Sequence, residues 1–546
     1  MNKAIFFKEW IKTRGLFFIA LLVSLCFAGY VMMRINRVIT FKGADHLWAI
    51  LLSRDTVFIE LLQYLPLIIG ALFASSQFIP EMTQKRLKLT LHLPYPQQRM
   101  ILLMLLAGVG QISIVFLLQA ASLWIYLQQH IASEMVSRIL LTATPWYICG
   151  YTAYLLTAWI CLEPTWKLRI VNLLIAAGIV RIFFLLDKPE AYNSFLPTLI
   201  IFTILCASLS IRSVVRFKEG CQKRYTTMKK FSKIFFYLTA VVLLSWLLPW
   251  LLQFAASKPG NDPFTLYSCV TKRFAYIQSS KDNGVKRYDA NGTEYTVAQF
   301  DSILPTFYYR QLFSKDRLPD TINGKEVTPK IIAHGNFTFK QSARDVNVTK
   351  PALNMIMESM PDRIDLENPI EAFRTTDRIT FIDMRDNTVN EKKSALFDKV
   401  MKQKGFEFPV RTLSGNPTNR KEYDEGYLMV DNNHRVFHVK QTKGLPYVRE
   451  TGVAPELGIE HVAITEFSNR KTLGLLTDKD NNLYVLNRDY TLHKLPIDKY
   501  DPKTNTLTIM GDIFYWTLKI SDERGVTTYA VDADSYAFAD SLRYDY

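Results

Sequence analysis

Residues 100–127 read MILLMLLAGVGQISIVFLLQAASLWIYL, with no acidic or basic side chain. As a helix this run is about 42 Å long, more than the roughly 30 Å of hydrocarbon in a bilayer. Six more long apolar stretches occur before residue 257, at 15–33, 57–79, 145–162, 168–186, 195–211 and 234–256. Short charged segments separate them. A soluble fold would have to bury seven such helices at once. The stretches therefore predict a polytopic α-helical membrane domain of about seven spans.

Charge divides the chain at the same place. Residues 1–256 hold 25 Lys/Arg against 10 Asp/Glu, and residues 257–546 hold 40 of each. The whole +15 sits in the apolar half. Nucleic acid is therefore not an expected partner, because its recognition needs cations gathered on a folded polar face. With the N-terminus inside, segments 1–14, 80–99, 163–170 and 212–233 carry 18 Lys/Arg, and the opposite segments 34–56, 128–144 and 187–194 carry 6. The positive-inside rule selects that orientation. Seven spans then leave residues 257–546 across the membrane, an extracytoplasmic domain of a bacterial inner-membrane protein. The first stretch ends in Tyr30-Val31-Met32-Met33-Arg34 without a small-residue cleavage pattern, so an uncleaved span is expected. Segment 3–14 places Phe6, Phe7, Trp10 and Ile11 among lysines, the composition of a short helix lying at the inner interface. Only Cys269 falls in the polar half, so no disulfide forms within it.

The segment between the second and third stretches reads PEMTQKRLKLTLHLPYPQQRMILLMLLAG, residues 80–108. An acidic residue, Glu81, precedes a short basic helix. A turn at Pro94 and Pro96 follows, then Arg99 and the next span. Together with the basic start Lys8-Glu9-Trp10 through Arg14, this resembles the permease subunits of ABC-2-type transporters over about residues 1–215. The usual Gly-Thr of that loop stands here as Leu89-Thr90. The resemblance implies a six-span permease domain (1–215). To it are added a basic juxtamembrane segment with a seventh span (216–256) and an exported β-rich domain (257–546). It implies a separate cytoplasmic ABC ATPase, since the chain has no G-x-x-x-x-G-K-[ST] phosphate loop. It also implies pairing as a homo- or heterodimer with another permease. Glu81, Arg86, Pro94 and Arg99 would then form the loop that passes ATPase closure to the spans. The plainer reading is a basic connector obeying topology.

Arg181 lies inside the fifth stretch, where an unpaired cation costs about 2.5–3.5 kcal/mol. Glu60 and Gln63 are its candidate partners, and snorkelling to the outer interface is the simpler alternative. The cluster Arg212, Arg216, Lys218, Lys223, Arg224, Lys229, Lys230 and Lys233 would fix the orientation of the seventh span and attract anionic lipids.

Beyond residue 257 the pattern changes to alternating β-formers with Asn/Asp/Gly turns. Hairpins are predicted at 274–288, 379–389, 427–439, 473–487 and 518–531. The turn aspartates Asp282, Asp386, Asp431, Asp480 and Asp522 recur at about the length of a four-stranded propeller blade, with a weaker unit near His334-Gly335-Asn336. The expected fold is mainly β and propeller-like, and a mixed α+β domain is the alternative, with helical insertions near 351–360 and 390–404. The turn Asp478-Lys479-Asp480-Asn481-Asn482 lacks the Gly and terminal Glu of a calcium loop and reads as an ordinary turn. His434 and His438 share one strand face without a third ligand and read as exposed surface. The segment GNPTNRKEYDEGY, 415–427, resembles uncharacterised bacterial membrane proteins of the same two-part layout. No catalytic constellation, metal set or cofactor motif is found, so no enzymatic activity is expected of the chain itself.

Overall fold

The structure is a computed structural model. It describes residues 2–53, 55–84, 86–91, 95–186, 188–219, 227–256, 263–280, 284–348 and 350–545. The chain divides into two compact units, one built mainly from 1–257 and the other from 258–546 apart from short segments at 349–351 and 384–387.

The first unit is helical. Its helices are α1 (Asn2–Lys42), α2 (Ala44–Ser53), α3 (Leu65–Thr83), α4 (Arg86–Leu91), α5 (Gln97–Gln128), α6 (Ser133–Leu162), α7 (Trp166–Ile182), α8 (Leu196–Glu219) and α9 (Thr227–Ala256). Among the described residues, five helical segments are long and apolar enough to cross a membrane: Asn2–Lys42, Glu60–Thr83, Gln97–Gln128, Asn193–Val214 and Lys233–Leu252. The predicted interfacial helix at 3–14 is not a separate element. With no proline or turn near Gly15, α1 runs unbroken to Gly43, whose φ of +89° stops it. Its buried residues Ile5, Glu9, Thr13, Phe17, Ala20, Ser24, Ala28, Val31 and Ile35 fall three or four apart, one stripe of a regular helix. The segment 128–144, read as a loop, is mostly helical too. α6 begins at Ser133 and continues through Pro145.

The helices approach closely where glycines meet. A Cβ on Gly70 of α3 would collide with the Gly150 carbonyl of α6, and one on Gly150 with Phe116 and the Pro66 carbonyl. Small residues at crossings let helix backbones touch in an apolar solvent.

The second unit is mainly β. Strands β1 (Phe264–Tyr267), β2 (Phe274–Ser280) and β3 (Gly284–Asp289) form the first sheet. Helices α10 (Val297–Ile303) and α11 (Tyr309–Phe313), the hairpin of β4 (Thr321–Ile322) and β5 (Lys325–Glu326), and α12 (Pro329–Gly335) lead to β6 (Phe337–Gln341) and α13 (Ala343–Val346). The second sheet holds β7 (Asn354–Ile356), β8 (Glu371–Thr375), β9 (Ile379–Asp383) and β10 (Thr388–Val389), followed by α14 (Glu391–Gln403). The third holds β11 (Thr412–Gly415), β12 (Tyr427–Val430), β13 (Val436–Thr442) and β14 (Leu445–Glu450). The fourth holds β15 (Ile459–Ile464), β16 (Thr472–Asp478), β17 (Leu483–Asn487) and β18 (Leu492–Lys494). The fifth runs β19 (Thr506–Gly511), β20 (Tyr515–Ser521), β21 (Gly525–Asp532) and β22 (Phe538–Asp545), and β6 pairs antiparallel with β19 on its other edge.

Sheets two, three and four are four-stranded antiparallel meanders stacked face to face. Phe373, Phe381, Tyr427 and Phe437 join sheets two and three. Leu428, Val436, Val462 and Leu476 join three and four. Leu475, Val485, Leu507 and Trp516 join four and five. Strand β12, YLMV, is buried on both faces because it lies between two sheets. Among the described residues, no strand pairing closes the series into a barrel or ring.

All five predicted hairpins are present, as β2–β3, β9–β10, β12–β13, β16–β17 and β20–β21. Two details differ. The locking carboxylate of the fourth turn is Asp478, not Asp480; it accepts from the amides of Asp480 and Asn482. Residues near His334 end a short helix instead of forming a turn. Segment 390–404 is the expected helix, capped by Asn390, whereas 354–356 is extended as β7. Asp282 lies outside the described residues.

Candidate functional site

The predicted loop between α3 and α5 is fastened to the start of α1. Glu81 ends α3 with its side chain fully buried; it pairs with Lys12 and lies 3.0 Å from Lys8. Lys12 also bonds Glu9 at 2.8 Å, and Glu9 is fully buried. Lys8 donates to Thr90 Oγ1 in α4 at 3.1 Å, and Tyr95 donates to Asn2 at 2.9 Å. The first turns of α1 and the segment around 81–95 therefore form one bonded piece. Within it α4 buries Leu87 and leaves Leu89 74% exposed, with Arg86 and Lys88 also outside. Arg99 is exposed in the first turn of α5. Pro94 lies outside the described residues. The resemblance takes in Lys8 through Arg14 and a short helix at Leu87–Leu93 but gives Lys8 and Lys12 no partner; their pairing with Glu81 shows only once α1 and α3 pack.

Arg181 occupies the exposed last turn of α7. Glu60, offered as its partner, faces Arg34 at 3.7 Å instead. Among the described residues, Arg138 is a buried cation of this unit, held by Asp55 at 2.6 Å and Glu190 at 2.9 Å. It was overlooked because its helix was read as a loop. Of the juxtamembrane cluster, Arg212 sits in α8 with its guanidinium 4.6 Å from the Phe236 ring. Lys230 and Lys233 are exposed in α9. Lys223 and Arg224 lie outside the described residues, as do the side chains of Arg216, Lys218 and Lys229.

The second unit holds a buried ion network on the segment 415–427. Lys421 bonds Asp424 at 2.5 Å and Glu466 at 2.6 Å, all three side chains being at most 6% exposed. Glu425, 2% exposed, bonds Lys440 at 2.8 Å and faces Arg488 at 2.9 Å. Three carboxylates and three cations balance. The pairing thus permits burial that each group alone would oppose. Burial still pushes the Glu466 carboxyl up, against the pull of Lys421.

His438 belongs to this network and is not surface as expected: its side chain is 4% exposed. Its Nε2 lies 2.7 Å from the Glu425 carbonyl, and its Nδ1 2.9 Å from the Tyr490 hydroxyl. A carbonyl can only accept, so the proton sits on Nε2 and Nδ1 accepts from Tyr490. Burial takes the imidazole down to about 4, so it is neutral at pH 7. The network ties the link between β11 and β12 to the fourth sheet. Among the described residues, no group of three or more His, Cys, Asp or Glu is placed to hold a metal ion.

A cavity of about 280 Å³ opens between β1, β6, β19, β20 and the residues linking α10 to α11. Aromatic rings of Tyr267, Phe307, Phe337 and Tyr515 line it, with Asn336, Thr306 and Asp512 on the polar side. Burial raises the Asp512 carboxyl, although Thr306 and two backbone amides hold it.

Residues 264–531, which contain both the network and this cavity, match the family described as Domain of unknown function (DUF4857). No curated protein matches the chain. Among solved structures the chain is similar to PorZ, an essential bacterial surface component of the type-IX secretion system of Porphyromonas gingivalis. The identity is 10% and the TM-score 0.18, over 52% of this chain and 27% of that one. The chain thus spans about a quarter of that protein's length.

Proposed function

We propose that the chain is the membrane permease subunit of an ATP-driven, ABC-2-type transporter with an extracytoplasmic accessory domain. The observation that carries this reading is the bonded piece made by α1, Glu81 and α4. A short helix presenting Leu89, Arg86 and Lys88 outward, and tied to two long helices by Lys8, Lys12 and Glu81, suits the passing of an external push to the bundle as a rigid-body movement. The push would come from a separate cytoplasmic ATPase seated on α4. In this reading α6 and α7 join the five long apolar segments as spans, which places the N-terminus inside and the β unit outside. The stacked meanders of that unit are blades of a propeller-like array. A second permease, identical or related, completes the path, and the basic residues 212–233 rest on anionic lipid.

A second reading is a non-transporting anchor that displays the β unit for binding; the cavity beside Asp512 favours it. Purification of the full chain from its native membrane separates the two. Transport predicts a stoichiometric ATPase that is lost from the Leu89→Asp and Arg86→Glu variants. Repeated purification without any ATPase, or with one indifferent to both variants, overturns the transport reading.

A further inference from the structure

The cavity between the first and fifth sheets holds spare hydrogen-bond acceptor capacity at Asn336 and Asp512. Asn336 Nδ2 donates to the Thr306 carbonyl at 2.7 Å. That bond fixes the amide's orientation, because the flipped form would set two acceptors against each other. Asn336 Oδ1 is then left buried with no partner. On the other side of the same residue, Thr306 Oγ1 donates to Asp512 Oδ2 at 2.6 Å. Asp512 Oδ1 is occupied by the amides of Phe514 and Tyr515, at 2.7 and 2.8 Å, while a carboxylate oxygen such as Oδ2 can take a further donor. Thr306 thus bonds both residues that carry spare acceptor capacity. The nearby cation Lys325 is engaged by Asp534 at 2.7 Å. The rest of the lining is mostly apolar, with Tyr267, Phe307 and Tyr515 beside Leu304 and Met510, and it includes the hydroxyl of Thr517.

A buried acceptor without a donor costs about 1–3 kcal/mol, and a donor admitted to Asn336 Oδ1 by a side-chain shift of the lining would recover it. Acceptors together with the aromatic residues Tyr267, Phe307 and Tyr515 suit a cation that donates several hydrogen bonds, since aromatic rings attract positive charge. The volume of about 280 Å³ sits at the small end of the ligand-pocket range of roughly 300–1,000 Å³. We propose that this cavity binds a primary ammonium group carried on a small apolar or aromatic body, with the ammonium bonded to Asn336 Oδ1 and Asp512 Oδ2. The site lies wholly within the β unit and does not depend on the transport reading.

The test is isothermal titration calorimetry on the full chain in detergent micelles, with phenethylamine as probe and 2-phenylethanol and phenylacetate as controls. Phenethylamine is expected to bind saturably, 2-phenylethanol at least tenfold more weakly and phenylacetate not at all. Asp512→Asn keeps an acceptor for the turn amides while removing the charge, and should lower amine affinity about tenfold with phenylethanol unchanged. Thr338 lies exposed on β6 at the cavity, so Thr338→Trp should block the mouth and abolish amine binding without touching the core. If circular dichroism shows Asp512→Asn to be misfolded, Thr338→Trp and Asn336→Leu decide. No saturable amine binding to the folded chain, equal binding of phenylacetate, or amine binding unchanged in the folded variants overturns the proposal.

Discussion

Lys12 reaches two carboxylates at once, Glu9 on its own helix and Glu81 on α3. Removing one partner of a buried ion pair leaves the rest uncompensated, at a cost of about 3–5 kcal/mol. Lys12 keeps Glu9 after Glu81→Gln, so a loss near the lower end, about 3 kcal/mol, is expected. The helical unit of that variant should melt earlier in detergent, and Lys88→Gln, at an exposed position of α4, should not change the melt. An unchanged Glu81→Gln melt would show that the Lys12–Glu81 pair does not hold α1 to α3.

His438 gives a second test at this scale. Its folded form resists protonation down to about pH 4, whereas the unfolded side chain titrates near 6.5. The unfolded state therefore binds more protons between those values. The stabilisation is complete above pH 6.5 and is lost as pH falls towards 4, amounting to about 3 kcal/mol. Glu466, whose carboxyl is pushed up by burial, contributes the opposite slope at its own titration. The comparison is thus with His438→Gln, measured by unfolding at pH 7 and pH 5. The variant should lose much of the wild-type difference.

Elements show why part of the molecule could be read from sequence. Apolar run length marks helices, and each of the seven runs lies largely within one of them. Alternation with Asx turns marks hairpins, and all five are found. Helix ends and companions were less legible. α6 begins twelve residues before Pro145 because a helix tolerates proline when neighbouring helices pack around it, and so Arg138 was missed. His438 looked like surface because strand parity says which residues share a face, not whether another sheet covers it. The α3–α6 crossing offers the test here. Gly70→Leu should disrupt the helical unit, since a side chain there meets the Gly150 backbone. Gly110→Leu, with open space around it, should be tolerated in expression and melting temperature. Equal tolerance of both would deny the close crossing.

At the scale of the whole molecule, orientation is the claim with the widest reach. A reporter pair settles it: cysteines placed at Asn2 and Asp545 should label from opposite sides of sealed vesicles. Labelling from the same side would put the β unit with the ATPase and end the proposed division of labour. The ion network around Lys421 and Glu425 was not legible as such, since the segment 415–427 stood out only for its resemblance to uncharacterised bacterial membrane proteins. Lys440 reaches Glu425 through the β12–β13 pairing of the third sheet, whereas Glu466 and Arg488 come from beside strands of the fourth and meet the segment only once the two sheets stack.

Most of the β unit is assembled from neighbours, since each meander pairs strands that follow one another. β6 is the exception. Its register runs Phe337 with Gly511 to Gln341 with Leu507, so its mate is synthesised long after it. If the unit is threaded outward from the N-terminal side, β6 arrives with a bare edge while three whole sheets form behind it. A bare edge invites pairing with other chains. The period between the delivery of β6 and of β19 is therefore when newly made copies are most exposed to sticking together. An escort that shields extended strands would be needed then, and could be dispensed with once Gly511 is in place.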